Sequence, residues 1–393
     1  MQIGHLTACY RPVLNGVTRM VALYRRELER LGHQVTIFTL ANRKDVGAQK
    51  GVVRSAGLPL GSSGYHVAAR LPAAVQAQIA QMDILHCHHP LMALEFGRRY
   101  GRAPIIFTNH TRYDHYLAHY LGLPAGLAAR IMRAIWPRLL TKADVVIAPS
   151  QSLAELLIGL GVRPPAVIEN GINLRLFHEQ IVPASRARLG LEPADVLAVY
   201  VGRLSGEKGI APLVSEIARA RRQEPRLALL LVGGGPQAGR VQALAGRLGL
   251  RGRVHLAGPV APAAVPAYLA AADLFVTAST SETHPLSVIE ALAAGLPVVG
   301  YRAAGLADLV DSGRTGLLCP TERGALAASL LALVGSPALR RELGVAAREA
   351  GRRFDIRRTV ARTLEAYEAA REVAVAVVPG GAGPAAPPVP AGR

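Results

Sequence analysis

Twelve short runs rich in valine, isoleucine and leucine alternate along this chain with longer Ala/Leu/Arg segments of helical period. That alternation restricts the chain to βαβ units wound around parallel sheets. The runs form two sets of six: 2–7, 34–40, 83–87, 104–108, 144–148 and 166–169, then 196–201, 227–232, 253–256, 273–277, 297–300 and 316–319. Each set suffices for one doubly wound sheet. A length of 393 residues is too great for one ordinary core and suits two lobes of roughly 150 to 200 residues each. The expected fold class is therefore α/β, with two doubly wound parallel-sheet lobes.

Residues 1–178 form the expected first lobe and 196–354 the second. Between them, 179–195 loses the apolar period and carries two prolines, as a linker with a short helix would. A helical pattern resumes over 355–375 (Ile356, Val360, Leu364, Tyr367), and we expect it to pack back on the first lobe. The tail, 376–393, is dominated by Pro, Gly and Ala and has too little apolar surface to order itself. No period of 20 to 50 residues suggests a solenoid.

No apolar run reaches the roughly 18 to 20 residues of a membrane span. Arg11 and Pro12 interrupt the start where a secretory signal needs its apolar stretch, so a cytoplasmic location is expected. Cys9, Cys87 and Cys319 lack paired spacing and are expected to be free thiols. The formal charge of +18 is almost wholly arginine, since Lys44, Lys50, Lys142 and Lys208 are the only lysines. Such a balance favours anionic partners, although a general bias toward Ala, Gly, Arg and Pro would give the same composition.

The segment Ser279 to Val299 (STSETHPLSVIEALAAGLPVV) carries the strongest signal of chemistry. It follows the run ending at Thr277, Pro285 suits the first helical position, and Gly295 suits a C-terminal cap. The N–H groups of Leu286, Ser287 and Val288 would point out of the helix start, where the helix dipole also favours an anion. A diphosphate fits that end. Glu282 and Glu290, eight residues apart, can accept hydrogen bonds from two sets of sugar hydroxyls. A second element, Tyr200 to Gly209 (YVGRLSGEKG), lets the chain turn at Gly202 and puts Arg203 and Lys208 near one place, two cations able to neutralise a departing diphosphate. Gly233-Gly234-Gly235-Pro236 closes another run with a flexible loop at a strand's carboxyl end.

Together these residues resemble the retaining glycosyltransferases of family 4. The resemblance rests on Glu282 and Glu290, on Gly202 to Gly209, on GGGP and EALAAGLPVV, and in the first half on Tyr10-x-Pro12-x-x-Asn15-Gly16-Val17, Gly32-His33 and Asn170-Gly171-Ile172-Asn173. It covers nearly the whole chain except the tail. It implies two Rossmann-like lobes facing a cleft, the glycosyltransferase-B fold, and a nucleotide-sugar donor such as UDP-glucose or GDP-mannose as co-substrate. It also implies transfer with retention, with no cofactor and no obligatory metal. By that likeness Arg203 and Lys208 hold the donor diphosphate, Glu290 the ribose and Glu282 the hexose, while Gly16 closes over the phosphates and Gly234 lies in the donor loop. Many members carry an aromatic residue or Gln followed by Gly where this chain has His284-Pro285, and Pro285 has no N–H to offer.

Two histidine-dense segments, 84–90 and 106–120, follow runs of the first half. His115 and His119 lie one helical turn apart, but no carboxylate or cysteine stands at ligand spacing, so we read the histidines as lining an interlobe cleft and expect no metal. His110, Thr111, Tyr113 and Tyr116 resemble the branch of the family that glycosylates membrane lipids such as diacylglycerol, and the likeness puts His110 beside the donor hexose as a catalytic-site residue. Downstream, Leu127, Ile131, Ile135 and Leu139 recur every four residues, with Arg130 and Arg133 on another face. Such a helix either faces the core or lies on an anionic leaflet and delivers a lipid acceptor. The expected partners are thus a nucleotide sugar, a lipid acceptor and an anionic membrane surface, with no nucleic acid. A soluble or saccharide acceptor, a nucleotide-sugar 2-epimerase and a non-catalytic basic binding protein are the alternatives. The epimerases lack the EKG and EALAAG surroundings, and a nucleic-acid binder would need aromatic patches that 5% aromatic content does not supply.

Overall fold

The computed structural model describes residues 1–13, 15–60, 64–113, 124–178 and 181–377. Its first sheet contains β1 (Gln2–Thr7), β2 (Gln34–Ala41), β3 (Gly47–Gln49), β4 (Val52–Ala56), β7 (Ile84–Cys87), β8 (Ile105–Thr108), β9 (Val145–Ala148) and β10 (Ala166–Val167). These strands lie in the order β10-β9-β8-β7-β1-β2-β4-β3, all parallel except the β3–β4 pair. β5 (Leu58–Pro59) and β6 (His66–Val67) make a separate antiparallel ladder. The second sheet joins β11 (Val196–Val201), β12 (Leu227–Val232), β13 (Val254–Gly258), β14 (Leu274–Thr277), β15 (Val298–Tyr301) and β16 (Gly316–Cys319). Its order is β13-β12-β11-β14-β15-β16, parallel throughout.

Helices cover both sheets, which is why β11 and β12 are buried at every position and read as unbroken apolar runs. In chain order they are α1 (Gly16–Arg30), α2 (Ala73–Ala80), α3 (Met92–Tyr100), α4 (Ala125–Leu140), α5 (Gln151–Gly159), α6 (Arg175–His178) and α7 (Ile210–Arg221). They continue as α8 (Ala238–Arg247), α9 (Val265–Ala270), α10 (Leu286–Ala294), α11 (Ala304–Ala307), α12 (Ala325–Gly335), α13 (Pro337–Gly351) and α14 (Ile356–Val377). Each sheet reverses its winding once, between β1 and β7 in the first and between β11 and β14 in the second. Loops leaving two neighbouring parallel strands at such a reversal splay apart and open a crevice at the carboxyl edge.

The strands β3 to β6 lie in 47–67, where the sequence offered no strand; they are two to five residues long and partly exposed, so they lack the apolar run of a central strand. In α4 the core-facing stripe is Ala128, Met132, Trp136 and Leu140, one residue on from the stripe expected, and Leu127 and Ile135 stay 45% and 48% exposed. The helix has two adjacent apolar stripes, and the one carrying the Trp136 indole and Met132 takes the core. His115, His119, Tyr116 and the tail beyond 377 lie outside the described residues.

The chain crosses between the sheets twice at one point: Ile172 N–H donates to Phe354 O at 2.8 Å, and Ile356 N–H donates back to Ile172 O at 2.9 Å. α14 then returns to the first sheet. Its Thr359 hydroxyl donates to Glu169 O (2.9 Å), its Tyr367 hydroxyl meets His86 Nδ1 (2.6 Å), and its Thr363 hydroxyl lies 3.3 Å from that of Tyr24 in α1. The segment before β11 packs on the second sheet's side, with Arg186 on Asp273 at 3.0 Å and Asp195 on Arg253 at 2.8 Å.

Between the first sheet and α1 and α14 lies a layer of histidines. His5, His86 and His88 are buried there against Tyr24 and Tyr367, His89 is buried beside Thr7 and Tyr65, and His110, bonded to His88, is partly buried. Burial holds His5 and His89 down to about 3 and His110 to about 4, and it lowers His86 and His88 well below the usual imidazole value. These groups are neutral when folded, whereas in the unfolded chain they charge near pH 6.5. Unfolding therefore takes up protons as pH falls through 6.5, and folded-state stability, complete above that pH, is lost progressively toward pH 3 to 4. Each such histidine removes about 1.4 kcal/mol per pH unit over that window. Thermal midpoints measured from pH 8 to 5, where carboxylates remain ionised, should be level above pH 7 and fall steeply below 6.5. A level midpoint down to pH 5 would contradict the neutral histidine layer.

Candidate active site

The crevice of the second sheet is built around α10. Pro285 takes the N-cap, with φ −71° and ψ 123°, rather than the first helical position that the sequence suggested, and the helix runs Leu286–Ala294. The reason is that its carbonyl already accepts from Val288 (3.2 Å) and Ile289 (3.3 Å), which is what a half-in residue does. The N–H groups of Leu286 and Ser287 consequently precede the helix's own ladder, while that of Val288, expected with them, is used within the first turn. Gly295 ends the helix at φ 78°, its N–H bonding to Ala291 and Leu292 carbonyls.

Loops from β11 and β14 meet beside this mouth because those strands are neighbours. Lys208 Nζ lies 2.8 Å from Glu282 Oε1, and the Ser281 hydroxyl donates to Glu207 O at 3.1 Å. Arg203 is on the same loop with its side chain exposed; its carbonyl accepts from the Tyr200 hydroxyl at 3.2 Å. Burial, reinforced by Glu282 and Glu207, pushes that hydroxyl well above its ordinary value, so it stays a donor. The loop after β12 locks against the loop after β11: Leu204 N–H donates to Gly234 O at 2.9 Å, and Gln237 N–H to Leu204 O at 2.9 Å. Gly233, at φ 143°, has no alternative residue, since a Cβ there would stand 1.9 Å from the Gly202 carbonyl oxygen. Gly234, expected to lie at the site, is within this locked pair. Behind Glu282, a Cβ on Gly305 would come within 2.2 Å of the Glu282 carbonyl oxygen, so α11 seats the carboxylate-bearing loop from below.

Contacts from the first lobe reach this mouth. Arg19, on α1 one turn after Gly16, forks onto Glu290: Nη1 reaches Oε2 at 3.3 Å and Nη2 meets Oε1. Glu290 is 3% exposed and Arg19 is itself desolvated, and the carboxylate raises the guanidinium pKa against that burial. The Thr283 hydroxyl donates to His110 O at 2.8 Å, and Asn170 Nδ2 donates to His284 O at 2.9 Å. His284 is buried with its ring tilted against Phe354 at 5.6 Å, and burial, with Arg353 nearby, lowers its pKa to about 3. Gly16 begins α1 after Asn15, whose side chain caps the helix with Thr18. A Cβ at Gly16 would meet nothing within 4 Å.

The structure thus brings Lys208 and Glu282 together beside the mouth of the helix that carries Glu290 and joins the Glu282 loop, through Thr283, to the His110 backbone, while Arg203 is exposed on the loop that carries Lys208. His86 and His88 lie beneath the crevice rather than lining it, because both project from the same face of the first sheet into the α1 and α14 layer. Sequence reading missed Arg19, Thr283, Gly305 and the place of His5. Arg19 had one signal, its position one turn along the helix that Asn15-Gly16 opens; the others depend on which strands become neighbours.

Two family models match the chain in tandem: one described as glycosyltransferase family 4 over residues 14–176, and one described as glycosyl transferases group 1 over 182–350. Among curated relatives, an alpha-monoglucosyldiacylglycerol synthase of Streptococcus pneumoniae is 29% identical over 352 residues, covering 86% of this chain and 79% of that protein. A D-inositol 3-phosphate glycosyltransferase of Acidothermus cellulolyticus is 31% identical over 389 residues, covering 90% and 85%. Among solved structures, the sucrose-phosphate synthase of Thermosynechococcus elongatus superposes with a TM-score of 0.77 at 25% identity, over 95% of this chain and 99% of that one. Anabaena HepE in complex with UDP and glucose superposes with a TM-score of 0.75 at 24% identity, over 94% and 100%. With its two parallel-sheet lobes and these matches along almost its whole length, the chain belongs to glycosyltransferase family 4 and is a glycosyltransferase of the two-lobed glycosyltransferase-B fold.

Proposed function

We propose that the chain moves a hexose from a nucleotide sugar to an acceptor hydroxyl, with retention of configuration and without a metal, and that the acceptor is a membrane lipid such as diacylglycerol. The observation that carries this reading is the convergence of Lys208, Glu282 and Glu290 on the open amide mouth of α10. The Leu286 and Ser287 amides and the helix dipole receive the diphosphate. Lys208 and the exposed Arg203 balance its charge, and Glu290 and Glu282 accept from ribose and hexose hydroxyls, the donor displacing Arg19 from at least part of the Glu290 carboxylate. Both carboxylates sit in ion pairs, a poor state for a nucleophile. A front-face route follows, in which the leaving phosphate takes the acceptor proton and the protein contributes positioning and electrostatic stabilisation. His110 faces the hexose from the other lobe.

The relatives' names support a glucosyl donor and a lipid acceptor, and UDP with glucose in HepE supports a uridine nucleotide. The lipid is supported by α4 as well. Leu127 and Ile135 remain exposed beside the exposed Arg130 and Arg133, an apolar and basic surface suited to an anionic leaflet, each cation contributing on the order of 1 kcal/mol there. No described helix is long and apolar enough to cross a membrane, so contact would be peripheral. A soluble acceptor is the second reading, favoured by the inositol-phosphate transferase among the relatives.

Incubation of the protein with UDP-glucose, with diacylglycerol in anionic or neutral vesicles, and with inositol phosphate separates these readings. Acceptor-dependent UDP release with diacylglycerol, faster on anionic vesicles and reduced by a Leu127→Glu and Ile135→Glu double substitution, is the expected result. Release with inositol phosphate alone would establish the soluble acceptor, and release with no acceptor tested would sink both.

Gly16 gives a second test. Nothing in the protein requires a glycine there, since its Cβ would meet open space and alanine suits a helix start. A bound diphosphate would require it. Gly16→Ala should keep its thermal midpoint while KM for the nucleotide sugar rises about tenfold, the effect of one methyl group crowding a fitted contact. An unchanged KM would remove Gly16 from the donor site.

A further inference from the structure

The histidine layer contains an ordered chain of three rings. His5 Nδ1 lies 2.8 Å from His88 Nε2, with the ring planes 8° apart and the centroids 5.1 Å apart. His88 Nδ1 lies 2.9 Å from His110 Nε2, with planes 23° apart and centroids 5.2 Å apart. In each pair the centroid separation is close to the N–N distance plus two ring radii, so the rings meet edge to edge, nearly in line. β1 and β7 impose this arrangement: His5 pairs in register with His86, His88 follows two residues on from the same face, and Thr283 fixes the backbone of His110 from the second lobe. His86 is held apart from the chain by Tyr367 at 2.6 Å and Thr108 at 2.7 Å.

A neutral imidazole has one N–H and one bare nitrogen, and each N–N contact can hold one hydrogen. Burial keeps these rings neutral. If His5 donates from Nδ1, His88 accepts at Nε2 and donates from Nδ1, and His110 accepts at Nε2. If the direction is reversed, all three carry the hydrogen on Nε2. The three rings must therefore share one tautomer. The choice between the two falls at the buried end, where His5 Nε2 has no hydrogen-bond partner among the described residues. An unpaired buried acceptor is tolerated better than an unpaired buried N–H, which selects the Nδ1–H order.

We propose that His5 and His88 are positioning residues that lock the tautomer of His110, so that His110 presents Nδ1–H, a hydrogen-bond donor, to the crevice. The consequence rests on the reading of His110 as facing the transferred hexose; the tautomer order does not. With its donor fixed, His110 recognises an oxygen lone pair, on a sugar hydroxyl or a phosphate, without reorienting. The arrangement differs from a metal triad. His5, His86 and His88 bring ring nitrogens within 4.8 Å of one another, but the two nitrogens of His88 point away from each other, to His5 and to His110, and both nitrogens of His86 are engaged.

Two-bond 1H–15N correlation spectra of the imidazoles in the full chain at about pH 7, assigned with single histidine substitutions, decide the order without donor or acceptor. The Nδ1–H tautomer is expected at His5, His88 and His110 alike. Opposite tautomers at neighbours, a mixture at His110, a charged ring, or stoichiometric Zn2+ uptake that disappears in His88→Leu would overturn the proposal. In turnover assays, His88→Leu should lower kcat about tenfold, the worth of one hydrogen bond, while KM for the nucleotide sugar stays within about twofold. His88→Asn, whose amide nitrogen takes the place of Nδ1 and can still donate to His110 Nε2, should recover most of the loss, which a space-filling role for His88 would not predict. Equal kcat in wild type and His88→Leu would also overturn it. A protein with no turnover on any acceptor would defeat the transferase substrate reading, and the spectra would still decide the tautomers.

Discussion

A carboxylate buried as deeply as Glu290 must have a partner, and the partner comes from the other lobe. With 3% of its surface exposed, Glu290 would carry a desolvation cost of several kcal/mol if left alone. Arg19 removes that cost by forking onto it across 271 residues of sequence. The pair therefore does two things at once. It joins α1 to α10 across the lobes, alongside the Ser152–Asp308, Thr283–His110 and Asn170–His284 contacts, and it holds a carboxylate beside the amide mouth of α10. On the proposed reading, a donor hydroxyl replaces part of what Arg19 supplies to Glu290.

Everything around that pair follows from strand direction. In a parallel sheet each strand delivers its loop to the same edge, and where winding reverses, loops from strands distant in sequence become neighbours. β11 and β14 supply Lys208 and Glu282 to one point in this way, and β1 and β7 supply Gly16 and the histidine segment opposite. The glycines hold the arrangement at atomic range: Gly233 lets two backbones touch, and Gly305 lets α11 reach the back of Glu282. The double crossing at Ile172 and Ile356, with Asn170 bonded to the His284 carbonyl, ties the connection between the lobes directly to the loop that carries Glu282.

The central strands and α10 were legible because their signals are local. β11 and β12 are buried on both faces and read as continuous apolar runs, and Gly295 marks a helix end whatever surrounds it. At Pro285 the ambiguity is local too: proline fits both the cap and the first turn, and only the Val288 and Ile289 bonds to its carbonyl distinguish them. The edge strands between 47 and 67 were illegible because exposed, short strands carry no periodic apolar demand. In α4, two apolar stripes lie side by side, and the neighbouring packing of Trp136 and Met132, absent from the sequence pattern, decides which one is buried. The spacing of His86 and His88 does imply a shared face, but the partnership with His5 needs the β1–β7 register.

The most direct test of the account is calorimetric titration of UDP into the wild-type chain and into Glu290→Ala, each checked for an unchanged fold by its circular dichroism. The account predicts one UDP per chain in the wild type and an affinity at least about tenfold lower in the variant, since a ribose-binding carboxylate contributes a charged hydrogen bond. Equal affinity in the two proteins, or no UDP binding by the wild type while another ligand class binds elsewhere on the surface, would contradict the claim that the α10 mouth and Glu290 form the donor site.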